Sequence, residues 1–177
     1  MTIEELIAAI NWEAGQALPA AAARLFGPDE VPPASPEEVA AFEADLGAGL
    51  PDDYRQFLLR CNGGSLGDKY EFDEAHVIVG SVGGLREGCS LRSARSCYQG
   101  SVVRIPLALL WIMDDPGGNA VCLGLTGEYR GKVYFWDHDE EPYPDEWDGE
   151  VDTAVNIRLL ANSFTEFVAG LRVRNRE

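Results

Sequence analysis

Apolar residues recur at helical spacing in four stretches of the chain and gather into short β-type blocks in five others. The helical stripes are Ile3, Leu6, Ile7 and Ile10; then Val39, Phe42 and Leu46; then Tyr54, Phe57, Leu58 and Cys61; and last Phe164, Phe167, Val168 and Leu171. Three of them open on one local grammar, S/T-x-x-E, at Thr2 to Glu5, Ser35 to Glu38 and Ser163 to Glu166. There a hydroxyl and a carboxylate each satisfy a backbone amide that the first helical turn leaves without a partner. The remaining helix opens on Pro51, with Asp52 and Asp53 favoured by the positive end of the helix dipole. Gly47 is placed to end the second helix, and Asn62, Gly63 and Gly64 the third. Between the first two lies "GQALPAAAARLFGPDEVPPA", which predicts an alanine-rich helical turn followed by a proline-rich connector.

Beyond Gly64 the period shortens. "AHVIVG", "LALLWIM", "AVCLGL", "KVYFWDH" and "AVNIRLL" predict strands, separated by turns such as "DDPGGN" and "TGEYRG". The middle three predict an antiparallel meander. Helices at both ends of such a chain give an α+β domain: a mainly antiparallel twisted sheet covered by N-terminal helices and a C-terminal helix. Residues 1–177 suit one domain, which at this length buries roughly 70% of its unfolded surface.

Four of these segments together resemble the SUKH superfamily, also called the SMI/KNR type. The first comprises Phe42-Glu43, Leu46-Gly47, Leu50-Pro51, Tyr54-Arg55, Phe57-Leu58 and Asn62-Gly63-Gly64. The second is "DDPGGNAVCLGL", in which Asp115, Gly117, Gly118 and Asn119 match the D-x-G-G-N turn of that family. "GKVYFWDHD" and "LLANSFTEFVAGL" follow in the same order, so the similarity spans about 35–172 and leaves 1–34 as a helix and connector outside it. The resemblance implies a helix-covered twisted sheet and no shared catalytic constellation. It also implies that the motif residues, Asn62, Gly63 and Gly64 with Asp115, Gly117, Gly118 and Asn119, are structural. Many bacterial members look like immunity proteins that bind and block a polymorphic toxin domain, whereas other relatives act as regulatory or adaptor domains.

Charge narrows the choice of partner. There are 14 lysines and arginines against 30 aspartates and glutamates, a net charge of −16. Such a chain repels phosphate backbones and anionic lipid, so neither nucleic acid nor a membrane is expected as a partner. Nine of the 30 acids fall in "DHDEEPYPDEWDGEVD", residues 137–152, with no lysine or arginine among them. Tyr143 and Trp147 sit inside that run, and Pro142 and Pro144 stiffen it. Aromatic rings supply buried area and carboxylates steer a cation-rich partner. The predicted recognition surface is therefore Asp139, Glu140, Glu141, Tyr143, Asp145, Glu146, Trp147 and Asp148. Arg92, Arg95 and Arg104, with Arg86 just before them, form a candidate internal counterpart to this acid; a solubilising role for the loop is the plain alternative.

Other chemistry finds little support. On a strand Asp137 and Asp139 would point away from His138, and the other histidine, His76, is distant, so no metal site is expected. An enzyme would need Asp137 and His138 to meet Asp114 or Asp115. Cys61, Cys89, Cys97 and Cys122 form no C-x-x-C pair and read as reduced thiols. "GSVGGLREG" matches neither glycine-rich phosphate loop, and no cofactor is expected. "MTIEELIAAINWEAG" carries glutamates where a secretory signal carries lysines, and "IPLALLWIM" is too short to span a bilayer, so a cytoplasmic protein is expected. The sequence thus predicts a non-enzymatic binding protein, either an immunity protein for a basic toxin domain or an adaptor with another partner; it leaves oligomeric state open.

Overall fold

A computed structural model describes residues 1–15, 33–72, 77–85, 91, 94–95, 99, 104–143 and 145–174. The chain opens with helix α1 (Ile3–Gly15), followed by α2 (Pro36–Leu46) and α3 (Asp52–Leu58). Strands β1 (Gly64–Phe72), β2 (Val77–Val82), β3 (Leu109–Asp114), β4 (Ala120–Gly124), β5 (Val133–Trp136) and β6 (Ile157–Ala161) come next. Helix α4 (Phe164–Gly170) leads into the closing strand β7 (Leu171–Val173). Residues 16–32 of the predicted alanine- and proline-rich connector, together with His76, Cys89, Cys97, Arg86 and Arg92, lie outside the described residues.

The helices start where the capping grammar puts them. Thr2 and Glu5 exchange bonds with each other's backbone amides at 3.1 and 2.7 Å, and Ser35 and Glu38 do the same at 3.1 and 2.7 Å. Before α4 the reciprocal bond shifts by one residue: Glu166 N–H donates to Ser163 Oγ, while the Glu166 carboxylate accepts from Asn162 N–H. Gly47 ends α2 in the left-handed region at φ 68°, a conformation that costs glycine little. The last helix is shorter than its apolar stripe suggests. Leu171 is buried as expected, but it begins β7 and pairs with Phe72 of β1.

The sheet order is β6-β5-β4-β3-β2-β1-β7, with antiparallel neighbours throughout. The predicted central meander is present and extends through all six strands from β1 to β6. Two features were not foreseen. β1, "GSLGDKYEF", hides its strand character because the register slips between Ser65 and Tyr70, which destroys simple alternation. β7 joins the far edge beside β1, so α4 must bridge both edges of a seven-stranded sheet. Flat, those edges would stand about 29 Å apart, whereas a helix of seven residues spans about 10 Å. The sheet is curled, and α4 packs within the curl.

That curl holds the larger core. Leu6 and Ile10 of α1, Phe42 of α2, Tyr54 and Phe57 of α3, and Phe164 and Phe167 of α4 pack against Leu110, Ile112, Val121, Leu123, Val133 and Phe135. Phe164 meets Tyr54 edge-on at 5.0 Å, and Phe167 stacks on Phe72 at 5.0 Å. The opposite face carries a smaller cluster of Ile105, Leu109, Ala120, Cys122, Tyr134, Trp136 and Val151. Among the described residues, Ile105 and Val151 reach it from the segments between strands. Central strands β4 and β5 are consequently buried on both faces, which is why their sequences read as unbroken apolar runs.

Candidate partner-binding surface

The acidic run connects β5 to β6 and lies over the second face of the sheet. Its entry and exit are pinned together: Asp137 N–H donates to Asn156 O, and the Asn156 side chain returns a bond to Asp137 O at 2.8 Å. Val151 is the apolar plug that seats the run on Trp136 and its neighbours. The D-x-G-G-N hairpin supplies a third anchor. Asp115 Oδ1 accepts from the amides of Gly117 and Asn119 and so fixes the turn between β3 and β4, with Gly118 at φ 93°. That turn aims Asn119 Oδ1 at His138, where it accepts the backbone N–H at 3.1 Å and lies 2.8 Å from ring Nδ1. The hairpin and the acidic loop are therefore one unit.

The other quoted motif works at the opposite end of the sheet. Asn62 is buried, and its Oδ1 accepts the Leu85 amide at 2.6 Å. A Cβ on Gly63 would come within 2.6 Å of Val82 O, and one on Gly64 within 2.4 Å of Ile10, so glycine at both positions lets the chain pass between β2 and α1. None of these groups reaches the acidic loop.

Within the predicted recognition surface the residues divide into two kinds. Asp139, Glu140, Asp145 and Glu146 are exposed, and Tyr143 is 72% exposed. Glu141, Trp147 and Asp148 have internal partners instead. Both Glu141 oxygens accept from Arg104, whose guanidinium also lies 5.2 Å from the Trp136 ring centroid. Arg104 is thus the internal counterpart that the arginine-bearing segment promised. Trp147 is half-buried, and its indole N–H donates to Glu150 O. Asp148 accepts from Thr153 Oγ1 and Glu150 N–H, bonds that hold its carboxyl below the usual carboxylate range.

One expectation about this loop is corrected. β5 ends at Trp136, and a turn follows, so Asp137, His138 and Asp139 do not alternate as on a strand; one ligand atom from each lies within 4.8 Å of the others. These atoms engage one another: Asp137 Oδ1 accepts the Asp139 amide, and His138 Nε2 lies 3.2 Å from Asp139 Oδ1. The carboxylates that an enzyme would add are occupied elsewhere. Asp114 accepts from Ser81 N–H and Oγ, and Asp115 from its own hairpin. Cys61 and Cys122 are buried core thiols, and burial pushes that of Cys122 up, away from the thiolate needed for nucleophilic work.

Residues 33–170 match the model of the SMI1 / KNR4 family (SUKH-1). The chain belongs to this family. It is also 29% identical over 156 residues to the SPbeta prophage-derived uncharacterized protein YokK of Bacillus subtilis (strain 168), a match covering 76% of this chain and 73% of that relative. The family match leaves α1 outside, although Leu6 and Ile10 of that helix are fully buried in the main core. Among the described residues, no helix is long and apolar enough to cross a membrane.

Proposed function

We propose that this member of the SMI1 / KNR4 family is a non-enzymatic immunity protein that binds a cognate toxin domain of basic surface and neutralises it by occlusion. The observation that carries the reading is the acidic loop's attachment. It is tied down at Asp137, His138, Glu141 and Val151, while Asp139, Glu140, Asp145, Glu146 and Tyr143 stay exposed. A solubilising loop needs charge but no fixed shape; one held at several points presents its carboxylates in a defined pattern at small entropic cost on binding. A basic nuclease would suit such a surface, because the carboxylates would occupy the place of the phosphates it grips. The prophage origin of the relative supports a role in conflict between cells or genetic elements.

The test is a rescue assay in the cytoplasm of a sensitive host. The C-terminal domain encoded by the neighbouring reading frame is expressed with and without this protein. Restored growth and a salt-sensitive complex are expected, and reversing Asp139, Glu140 and Glu146 to lysine should weaken that complex more than tenfold without moving the melting temperature. Rescue that survives the triple reversal would place the interface elsewhere on the domain. Absence of rescue by the wild type would favour the regulatory or adaptor role, which shares this fold.

A further inference from the structure

The second face of the sheet ends at an edge that no described strand covers, since β6 is the outermost strand beyond β5. Asp137 N–H bonds to Asn156 O, and the pairs Trp136–Ile157, Phe135–Arg158 and Tyr134–Leu159 continue that register. In an antiparallel ladder, hydrogen-bonded pairs alternate with non-bonded ones. Arg158 therefore shares its backbone bonds with Phe135, and Ile157 and Leu159 turn their N–H and C=O groups outward. Leu159 is 51% exposed, and Val155, just ahead of the strand, is 81% exposed. Outward backbone groups beside exposed apolar side chains are what an incoming strand uses.

What borders this edge sets the sign of its partner. Leu159 stands opposite Tyr134, whose ring meets that of Tyr129 edge-on at 6.3 Å. The Tyr129 hydroxyl in turn donates to Asp152 Oδ2 at 2.8 Å. This hydrogen bond, with the nearby charges of Glu128 and Glu150, pushes the Tyr129 phenol up to about 12. Among the described residues, a strip thus runs from the outward backbone of β6, across one leucine and two rings, to three exposed carboxylates. The far edge differs: β7 has only three residues, and Arg172 and Arg174 flank its exposed Val173.

We propose that the β6 edge receives an extended, lysine- or arginine-bearing segment of the partner protein as an added strand, with its backbone on Ile157 and Leu159 and its cations against Glu128, Glu150 and Asp152. This rests on the immunity reading and specifies how the basic partner is held. The edge supplies register and the carboxylates select charge, so an acidic segment of the same shape is rejected.

The experiment uses the full chain and the toxin domain from the neighbouring reading frame. Leu159→Pro removes an outward N–H that β5 does not use, so melting should change little while affinity falls at least tenfold. Glu128→Lys with Glu150→Lys should lower affinity by a similar factor, less at high salt. Val173→Pro on the far edge should leave affinity unchanged. In the complex, hydrogen exchange should slow at the Ile157 and Leu159 amides. If Leu159→Pro proves unstable, the charge reversal and the exchange pattern decide the matter. Binding by the wild type with both β6-edge variants undiminished, or with no protection at those amides, overturns the added strand and leaves the immunity reading standing. No binding by the wild type overturns both.

Discussion

Rings and aliphatic chains from four helices close one face of the sheet, whereas on the other, among the described residues, the segments between strands add Ile105, Ala108, Tyr129 and Val151 to a smaller apolar cluster. On the first face nearly every contacting group is apolar, so its residues are constrained together by volume. On the second, charged pairs and side-chain-to-backbone bonds do the fastening: Arg104 to Glu141, Asn119 to His138 and Asn156 to Asp137. Such bonds fix a loop at a few points and leave the side chains between them free to differ. A binding protein can alter its second face to suit a partner while its helix-side core stays intact.

The largest expected effect lies on the helix side. Phe164→Ala should cost about 3–5 kcal/mol, because that ring joins α3 to α4 inside the curl, whereas Val151→Ala should cost about 1–2 kcal/mol. Urea denaturation measures both, and equal losses would mean that the two faces are not different in kind. Next, Asn119→Ala should destabilise by about 1–2 kcal/mol and speed hydrogen exchange at His138 while leaving α1 to α4 protected. Exchange that quickens throughout the domain would show that the hairpin supports the whole fold. A smaller change is expected for Glu141→Gln, about 0.5–1 kcal/mol, diminishing as salt is added, since its partner Arg104 is only partly shielded from water.

Titration should give the smallest effects, and in opposite directions. The Asp148 carboxyl is held low, so its contribution is present above the ordinary carboxylate range and is lost as pH falls through its lowered value. Tyr129 is raised from 10.0 to about 12, so its contribution is complete below the ordinary phenol value and is lost as pH climbs toward about 12. Phenolate absorbance should show Tyr129 ionising late, alongside Tyr54 and Tyr134, which burial also raises, and Asp152→Asn should bring the Tyr129 midpoint down. An unchanged midpoint would remove Asp152 as the cause.

Local rules were sufficient for the helix starts and for the middle of the sheet. The hydroxyl and glutamate three residues apart cap α1 and α2 wherever the rest of the chain goes, and Gly47 turns out of α2 by its own backbone freedom. Apolar runs marked β3, β4 and β5 because strands buried on both faces need no alternation. The early end of α4 was not legible, because Leu171 is apolar in either conformation and only the waiting edge of β1 draws it into a strand. The acidic loop was visible as charge but not as geometry. Its composition could not say that Glu141 meets Arg104, that Trp147 folds back on Glu150, or that a turn gathers Asp137, His138 and Asp139.

By itself, then, the sequence determined the helix starts, the middle strands, the family and the net charge of −16, each set by neighbouring residues or by a sum over the chain. Tertiary structure alone decided which carboxylates remain exposed, which strand stands outermost among the described residues and where β7 pairs. Those outcomes depend on groups far apart in sequence that meet only when the sheet curls, and no local pattern encodes the distance between them.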